Sequence, residues 1–315
     1  MTGIQDFLES AADMIAEMIN EETEEEVKLS YARVVKVNDS TLNGLRMEIK
    51  GREAMPVIYL DPLYESYLAG VPFETVMHEA YRAFVMALDA EPPNVRDLDP
   101  NYDAFEEGEL SVRVLDAARN VEFLKEHPYK DLGNGFVAVC DLVMFDRTGS
   151  WRTTVTDSLA EEYDGSVEEM IDRAIENAGR LDPPVMMSME KMMEMMLDDT
   201  AREPVGIHVR PGANSYVLTN RSKHYGAAAL FYPGIADKIA KKLHGGYYAL
   251  PSSLSEFIIV PSVRCEDMEE LERIVRKVNE NTVPEEEILS NRVLRYNVDE
   301  KRLEAVRPFE APLVC

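Results

Sequence analysis

The stretch Phe136 to Phe145 reads FVAVCDLVMF and is apolar at every position but Asp141. It falls well short of the roughly 18 apolar residues that a membrane span needs. A run of this length and composition predicts a β-strand buried on both faces, which can exist only where other elements cover each side of it. The stretch Trp151 to Val155 supplies a strand to pair with it. A purely helical architecture is thereby excluded.

Other segments read by period. Ile4, Phe7, Leu8, Ala11, Ile15, Met18 and Ile19 fall on one helical stripe, preceded by Thr2 and Gln5 at capping-box spacing. Val27, Leu29, Tyr31, Val35 and Val37 alternate, as do Leu45, Met47 and Ile49, and the turn residues Asn38, Asp39 and Ser40 between them predict a β-hairpin. Val57 to Leu60 is a short strand. Pro72 opens a helix bearing Phe73, Val76, Met77, Ala80, Phe84 and Leu88. The stretch from Glu91 to Glu109, with three prolines and an acidic excess, reads as a linker.

Ser166 and Glu169 form a second capping box, leading Val167, Met170, Ile171, Ala174 and Ala178 into a helix that Gly179 ends. A methionine-rich helix follows Pro183 and Pro184. Tyr216 to Leu218 is a strand, Tyr225 to Leu243 is helical on either side of Pro233, and Tyr247 to Leu250 with Phe257 to Val260 makes a hairpin around Ser252 and Ser253. Met268 to Val278 is a helix with Glu269 to Arg273 and Glu272 to Arg276 as i, i+4 pairs. Helices and short, mostly antiparallel strands are mixed without a βαβ rhythm, so the fold class is α+β in two subdomains. The expected division is 1–132, a helix, hairpin and helices, and 133–315, a second α+β unit.

The charge balance narrows the function. Over 315 residues, 33 Lys and Arg face 59 Asp and Glu, a net charge of −26. Such a chain repels phosphate backbones and anionic lipid, so direct nucleic-acid or membrane binding is not expected. Three scattered cysteines with no C-x-x-C spacing argue against a disulfide framework and fit a reducing cytoplasm.

Each catalytic motif fails in its required context. His78 and Glu79 begin an H-E-x-x-H zinc pattern, but Arg82 stands where the second imidazole belongs, which leaves His78 as a surface histidine. Ser188 and Lys191 have S-x-x-K spacing without its companion motifs, and Ser188 reads as a helix N-cap. Gly133, Gly135 and Ala138 match G-x-G-x-x-A but lead into a strand, so a tight turn is the simpler use. Asp141 is expected to be hydrogen-bonded within its strand or to face an edge. No metal and no cofactor is expected.

Two constellations remain. Seven methionines lie between 186 and 196, a run that could suggest a soft Cu(I) site or an adaptable partner groove, although a core face fits more simply. Met189, Met192, Met193, Met196 and Leu197 share a stripe that fits a core face, while the off-stripe Met186, Met187 and Met195 are candidates for a partner surface. Asn220, Lys223, His224 and Tyr225, with Ser222, stand between a strand and a helix start where an anion could sit, and Ser252 and Ser253 with Glu256 form the second wall of a candidate ligand pocket. The competing reading makes Asn220 or Ser222 a cap and Gly226 a close-packing residue.

The segments Tyr216 to Asn220, Gly226 to Pro233, Leu250 to Ser253 and Ile258 to Pro261, with Pro56 to Leu60 and the tyrosines Tyr64 and Tyr67, resemble an uncharacterised domain-of-unknown-function family of gut Firmicutes. The Ser166 to Ala178 helix and the Gly226 to Val260 block are more distantly similar to the YtpQ-like proteins of Gram-positive bacteria. The resemblance implies a bacterial cytoplasmic protein and supplies no catalytic residues. The leading expectation is a non-enzymatic binding or adaptor protein whose acidity selects a basic protein partner. The alternative is an enzyme or small-molecule sensor with its pocket near Asn220 to Tyr225 and Ser252 and Ser253.

Overall fold

The computed structural model describes residues 3–22, 26–49, 57–89, 105, 109–145, 150–197, 204–265 and 267–307. Thr2 of the first capping box and nearly all of the 91–109 stretch lie outside them. The chain forms two compact units, one of residues 1–36 and 40–102, the other of residues 37–39 and 103–315. The division falls earlier than the expected 132/133 boundary. The reason is a strand absent from the sequence reading, β4 (Glu109–Asp116), which pairs along its length with β6 (Phe136–Phe145) across that position.

In the first unit, α1 (Ile4–Glu22) lays Phe7, Leu8, Ala11, Ile15 and Ile19 against a three-stranded antiparallel sheet of β1 (Val27–Val35), β2 (Thr41–Ile49) and β3 (Val57–Tyr59). The expected hairpin is present in full. Asn20 pins the helix end to the first strand, its amide bonding both the N–H and the C=O of Val27 at 2.8 and 3.0 Å. Two further helices, α2 (Asp61–Leu68) and α3 (Phe73–Asp89), close the core. The Phe7 ring meets those of Tyr64, Tyr67 and Phe73 with centroids 5.1 to 5.7 Å apart, aromatic contacts that add to the burial itself. His78 lies exposed on α3.

The second unit holds two antiparallel sheets. In the smaller, β6 takes β4 along one edge and both β5 (Tyr129–Gly133) and β7 (Ser150–Thr154) along the other. Its residues from Phe136 to Met144 are buried, as the apolar run requires. The β5–β6 turn is tight, with Gly133, Asn134 and Gly135 all at positive φ, so this glycine pattern serves the turn. After the single-turn α4 (Asp157–Ala160) comes α5 (Val167–Leu181), which packs on β4 and β6 and has both halves of the Ser166/Glu169 capping box. This helix runs past Gly179 to Leu181, so the expected stop at the glycine falls two residues later.

The larger sheet has the order β13–β12–β10–β11–β9–β8. It comprises β8 (Pro184–Ser188), β9 (Tyr216–Asn220), β10 (Tyr247–Ser253), β11 (Glu256–Pro261), β12 (Leu294–Asn297) and β13 (Arg302–Ala305). Around it lie α6 (Met189–Leu197), a 3-10 segment Gly226–Phe231, α7 (Ile235–Leu243) and α8 (Met268–Asn281). Pro184 opens a strand where a helix was expected to follow the prolines. On α8 the expected i, i+4 pairs give way to others: Arg273 bonds Glu270, and Glu272 pairs with Arg307 at 2.7 Å. The architecture is α+β.

Candidate functional site

The buried centre of the polar site starts on neighbouring strands. In the β4/β6 register Ser111 faces Asp141 and Arg113 faces Val139, so Arg113 and Asp141 are diagonal neighbours on one face. Their side chains form a bidentate pair at 2.6 and 3.0 Å, both buried. Asp141 is therefore the hydrogen-bonded acid of the sequence reading, and its partner is Arg113. The Tyr225 ring covers the guanidinium, 4.1 Å from ring centre to the guanidinium carbon, a desolvated cation–π contact.

Tyr225 belongs to the loop that leaves β9. Its φ is 49° and that of Lys223 is 61°, a backbone region in which glycine would be cheaper. Side chains hold the loop there. Asp182 accepts from Ser222 N–H at 2.9 Å and from Ser222 Oγ at 2.5 Å, and lies 3.7 Å from Arg152. Asn220 donates to the His224 carbonyl at 2.9 Å, and the His224 N–H donates to Ser222 Oγ at 3.2 Å. Gly226 allows the close approach that follows: a Cβ there would fall 2.1 Å from Thr219 Oγ1.

The imidazole of His224 stands edge-on to Tyr225 at 4.5 Å. Its pKa is held below the ordinary histidine value by burial first and then by the cations Arg113 and Arg152, against the opposing pull of Asp141 and Asp182. The neutral ring is the stable form at neutral pH. The backbone N–H of His224, rather than its ring, meets the Ser222 hydroxyl, so the three residue types do not form a Ser–His–Asp relay.

On the second wall, Ser252 Oγ donates to Glu256 at 3.2 Å, and Lys223 acts on the same carboxylate. Burial pushes the Glu256 pKa up in spite of both. Ser253 instead receives the N–H of Ser255 at 3.1 Å and serves its own turn. The structure thus joins Ser252 to Glu256, sets Tyr225 on the guanidinium of Arg113 with His224 against its ring, and has Asn220 hold the His224 carbonyl. The residues missed from sequence are Arg113, Arg152 and Asp182; the alternation of Leu110, Val112 and Val114 was the available signal for the strand that carries the first. Among the described residues no group of three or more His, Cys, Asp or Glu could hold a metal ion.

The methionine run departs from the expected division at several positions. Met186 and Met187, expected at a partner surface, are 0% and 4% exposed. They sit in β8, paired with Leu218 and Val217 of β9, and the backbone of Met186 also bonds Gly206 and His208 on its other side. Ser188 caps α6 as expected, receiving the Lys191 N–H at 3.3 Å. The stripe expected to be core is half-buried at Met189 and Met192 and open at its far end, where Met193 is 58%, Met196 75% and Leu197 89% exposed; the off-stripe Met195, expected at a partner surface, is half-buried. The open part of the face is therefore its far end, at Met193, Met196 and Leu197. Glu190 and Glu194 flank this face, and Glu194 is shared by Lys191 at 3.5 Å and Arg210 at 3.9 Å.

No helix of the described residues is long and apolar enough to cross a membrane. No curated protein and no solved structure matches the chain. The profile of one family matches residues 4–298, nearly the whole length, and the chain belongs to that family of unknown function, DUF5688.

Proposed function

We propose that the chain is a non-enzymatic cytoplasmic binding protein that takes a basic, amphipathic helical segment of a partner protein on the open methionine face of α6. The exposure of Met193, Met196 and Leu197 carries this reading. Flexible, polarizable methionine side chains adapt to apolar anchors of differing shape, and an exposed apolar face of this kind marks an interaction site. The net charge of −26 favours a cationic partner and speeds its encounter. The polar cluster around Tyr225 supports the same reading, because Asp182, Arg113, Asn220 and Ser222 are spent on holding the loop. Free thiols at Cys140 and Cys265 agree with a reducing compartment.

A synthetic Leu/Lys amphipathic helix tests this by fluorescence anisotropy at low and moderate salt. Binding should weaken with salt and fall at least about tenfold, about 1.4 kcal/mol, in the double variant Met193→Glu, Met196→Glu. Equal affinity of variant and parent overturns the reading.

A second reading, an enzyme or small-molecule sensor with its pocket at Asn220 to Tyr225 and Ser252 and Ser253, is favoured by the bond from Ser252 to the part-buried Glu256 carboxylate, whose charge Lys223 also favours. Thermal-shift screening against phosphorylated metabolites and nucleotides addresses it. A ligand that stabilises the parent but neither Lys223→Ala nor His224→Ala supports this reading. A panel with no stabilising ligand removes it.

A further inference from the structure

We infer that the outer edge of β1 pairs with β1 of a second copy of this chain, the two strands running antiparallel about a two-fold axis at Tyr31. β1 is an outer strand of its sheet, with β2 as its neighbour. The bond from the Lys36 N–H to the Ser40 carbonyl, at 2.8 Å, fixes which residues face β2. In an antiparallel ladder alternate residues bond the neighbouring strand. Lys28, Ser30, Ala32 and Val34 therefore direct their N–H and C=O groups at β2, and Val27, Leu29, Tyr31, Arg33 and Val35 direct theirs outward. Asn20 agrees with this alternation: its amide holds both outward groups of Val27 as a neighbouring strand would. Among the described residues nothing bonds the outward groups of Leu29, Tyr31 and Arg33. Such a row of unpaired groups is a template for another strand.

Charge selects the occupant and its register. From Val27 to Lys36 the strand carries Lys28, Arg33 and Lys36 and no acid, in a chain where acids outnumber bases 59 to 33. Outward groups meet only when odd-numbered residues face odd-numbered ones, which leaves few alignments. Centred on Arg33, the pairing sets two guanidinium groups against each other; centred on Ala32, it sets Lys28 against Lys36. Centred on Ser30, it joins Leu29 to Tyr31 and then stops at Asn20. Centred on Tyr31, Leu29 of each copy faces Arg33 of the other and Lys28 faces Val34. This ladder ends where Val35 meets Val27, whose groups Asn20 already holds. Just beyond, the exposed Glu26 of each copy comes opposite the exposed Lys36 of the other, so the two-fold axis satisfies both ends at once. Lys36 lies over the Tyr59 ring at 5.1 Å, and its flexible stem lets the ammonium turn to that carboxylate. The half-buried Leu29 and Tyr31 gain cover from the same pairing. At physiological salt the repulsion between two chains of −26 is screened beyond about 8 Å, which leaves the contact charges to decide.

The pairing is independent of the partner surface proposed on α6. Sedimentation velocity of the full chain at about 1–100 μM in about 0.15 M salt tests it, and a concentration-dependent dimer is expected. Arg33→Pro removes an outward N–H that β2 does not use. It should weaken the dimer at least about tenfold and leave the circular dichroism of the monomer unchanged. Glu26→Lys and Lys36→Glu each set like charges opposite at both ends and should each weaken the dimer about tenfold. The double variant restores both pairs with their signs exchanged and should return to within about threefold of the parent, a rescue that a purely structural role would not give. A chain that stays monomeric across the range, a dimer indifferent to Arg33→Pro, or a double variant no better than the singles overturns the pairing. A dimer lost instead in Met193→Glu, Met196→Glu belongs to α6 and overturns it as well.

Discussion

The two units bury different kinds of side chain. In the first, the interior is Phe7, Leu8, Ile15, Leu45, Met47, Val76 and Phe84, built from stripes and alternations. In the second, an apolar interior also encloses Arg113, Asp116, Asp141, Asp182, Asn220 and Ser290, and every buried polar or charged side chain among the described residues belongs to it. An apolar core tolerates any filling of about the right volume. A polar one requires specific partners, since an orphaned group keeps its desolvation cost and loses its compensation. The second unit is therefore the less forgiving of substitution.

The largest expected effect tests that contrast directly. Asp141→Ala strands the Arg113 guanidinium and should cost about 3–5 kcal/mol in urea unfolding, whereas Arg113→Met with Asp141→Leu should recover most of the loss. A single variant as stable as the parent would abolish the distinction between the units. In the first unit, Leu8→Ala should cost about 2–5 kcal/mol, but Leu8→Met less than about 1.5 kcal/mol, because volume matters there more than identity. If Leu8→Met proves as damaging as Asp141→Ala, the first unit is no more tolerant than the second.

Smaller effects refine the picture. Ser166→Ala removes one half of the capping box of α5 and should cost about 1 kcal/mol by the same unfolding measurement. The smallest is a pH slope. The folded pKa of His224 lies below the unfolded value near 6.5, so between the two the unfolded chain carries a proton that the folded one has shed. Stability should accordingly fall as pH is lowered from about 6.5, and His224→Gln should flatten that part of the curve. Burial of the ring drives the effect first, Arg113 and Arg152 add to it, and Asp141 and Asp182 oppose it. An unchanged slope in the glutamine variant would show that His224 is not its source.

Legibility followed the same line. Local patterns were readable: the stripe of α1, the hairpin, the Ser166 capping box and the strand Phe136 to Phe145 all recur in the structure. What escaped was set by partners distant in sequence. Ser111 and Arg113 make β4 look half polar until Asp141 is seen opposite. Asp182 gains its meaning only from Ser222 and Arg152. Met186 looked off-stripe because the helical period was extended backwards over a strand. For Met193 and Met196 the period was right, but periodicity identifies an apolar face without showing that anything covers it.

An inner strand of the larger sheet has a consequence for biosynthesis. Tyr247 of β10 is fully buried, with its ring parallel to that of Tyr296 on β12 at 5.3 Å. While a ribosome is still short of Leu294, β10 has no neighbour on that side and offers its unpaired amides and tyrosine to any other nascent strand. Between the translation of Ser253 and that of Asn297, then, β10 is open to pairing with other chains, and a chaperone covering it would block that route.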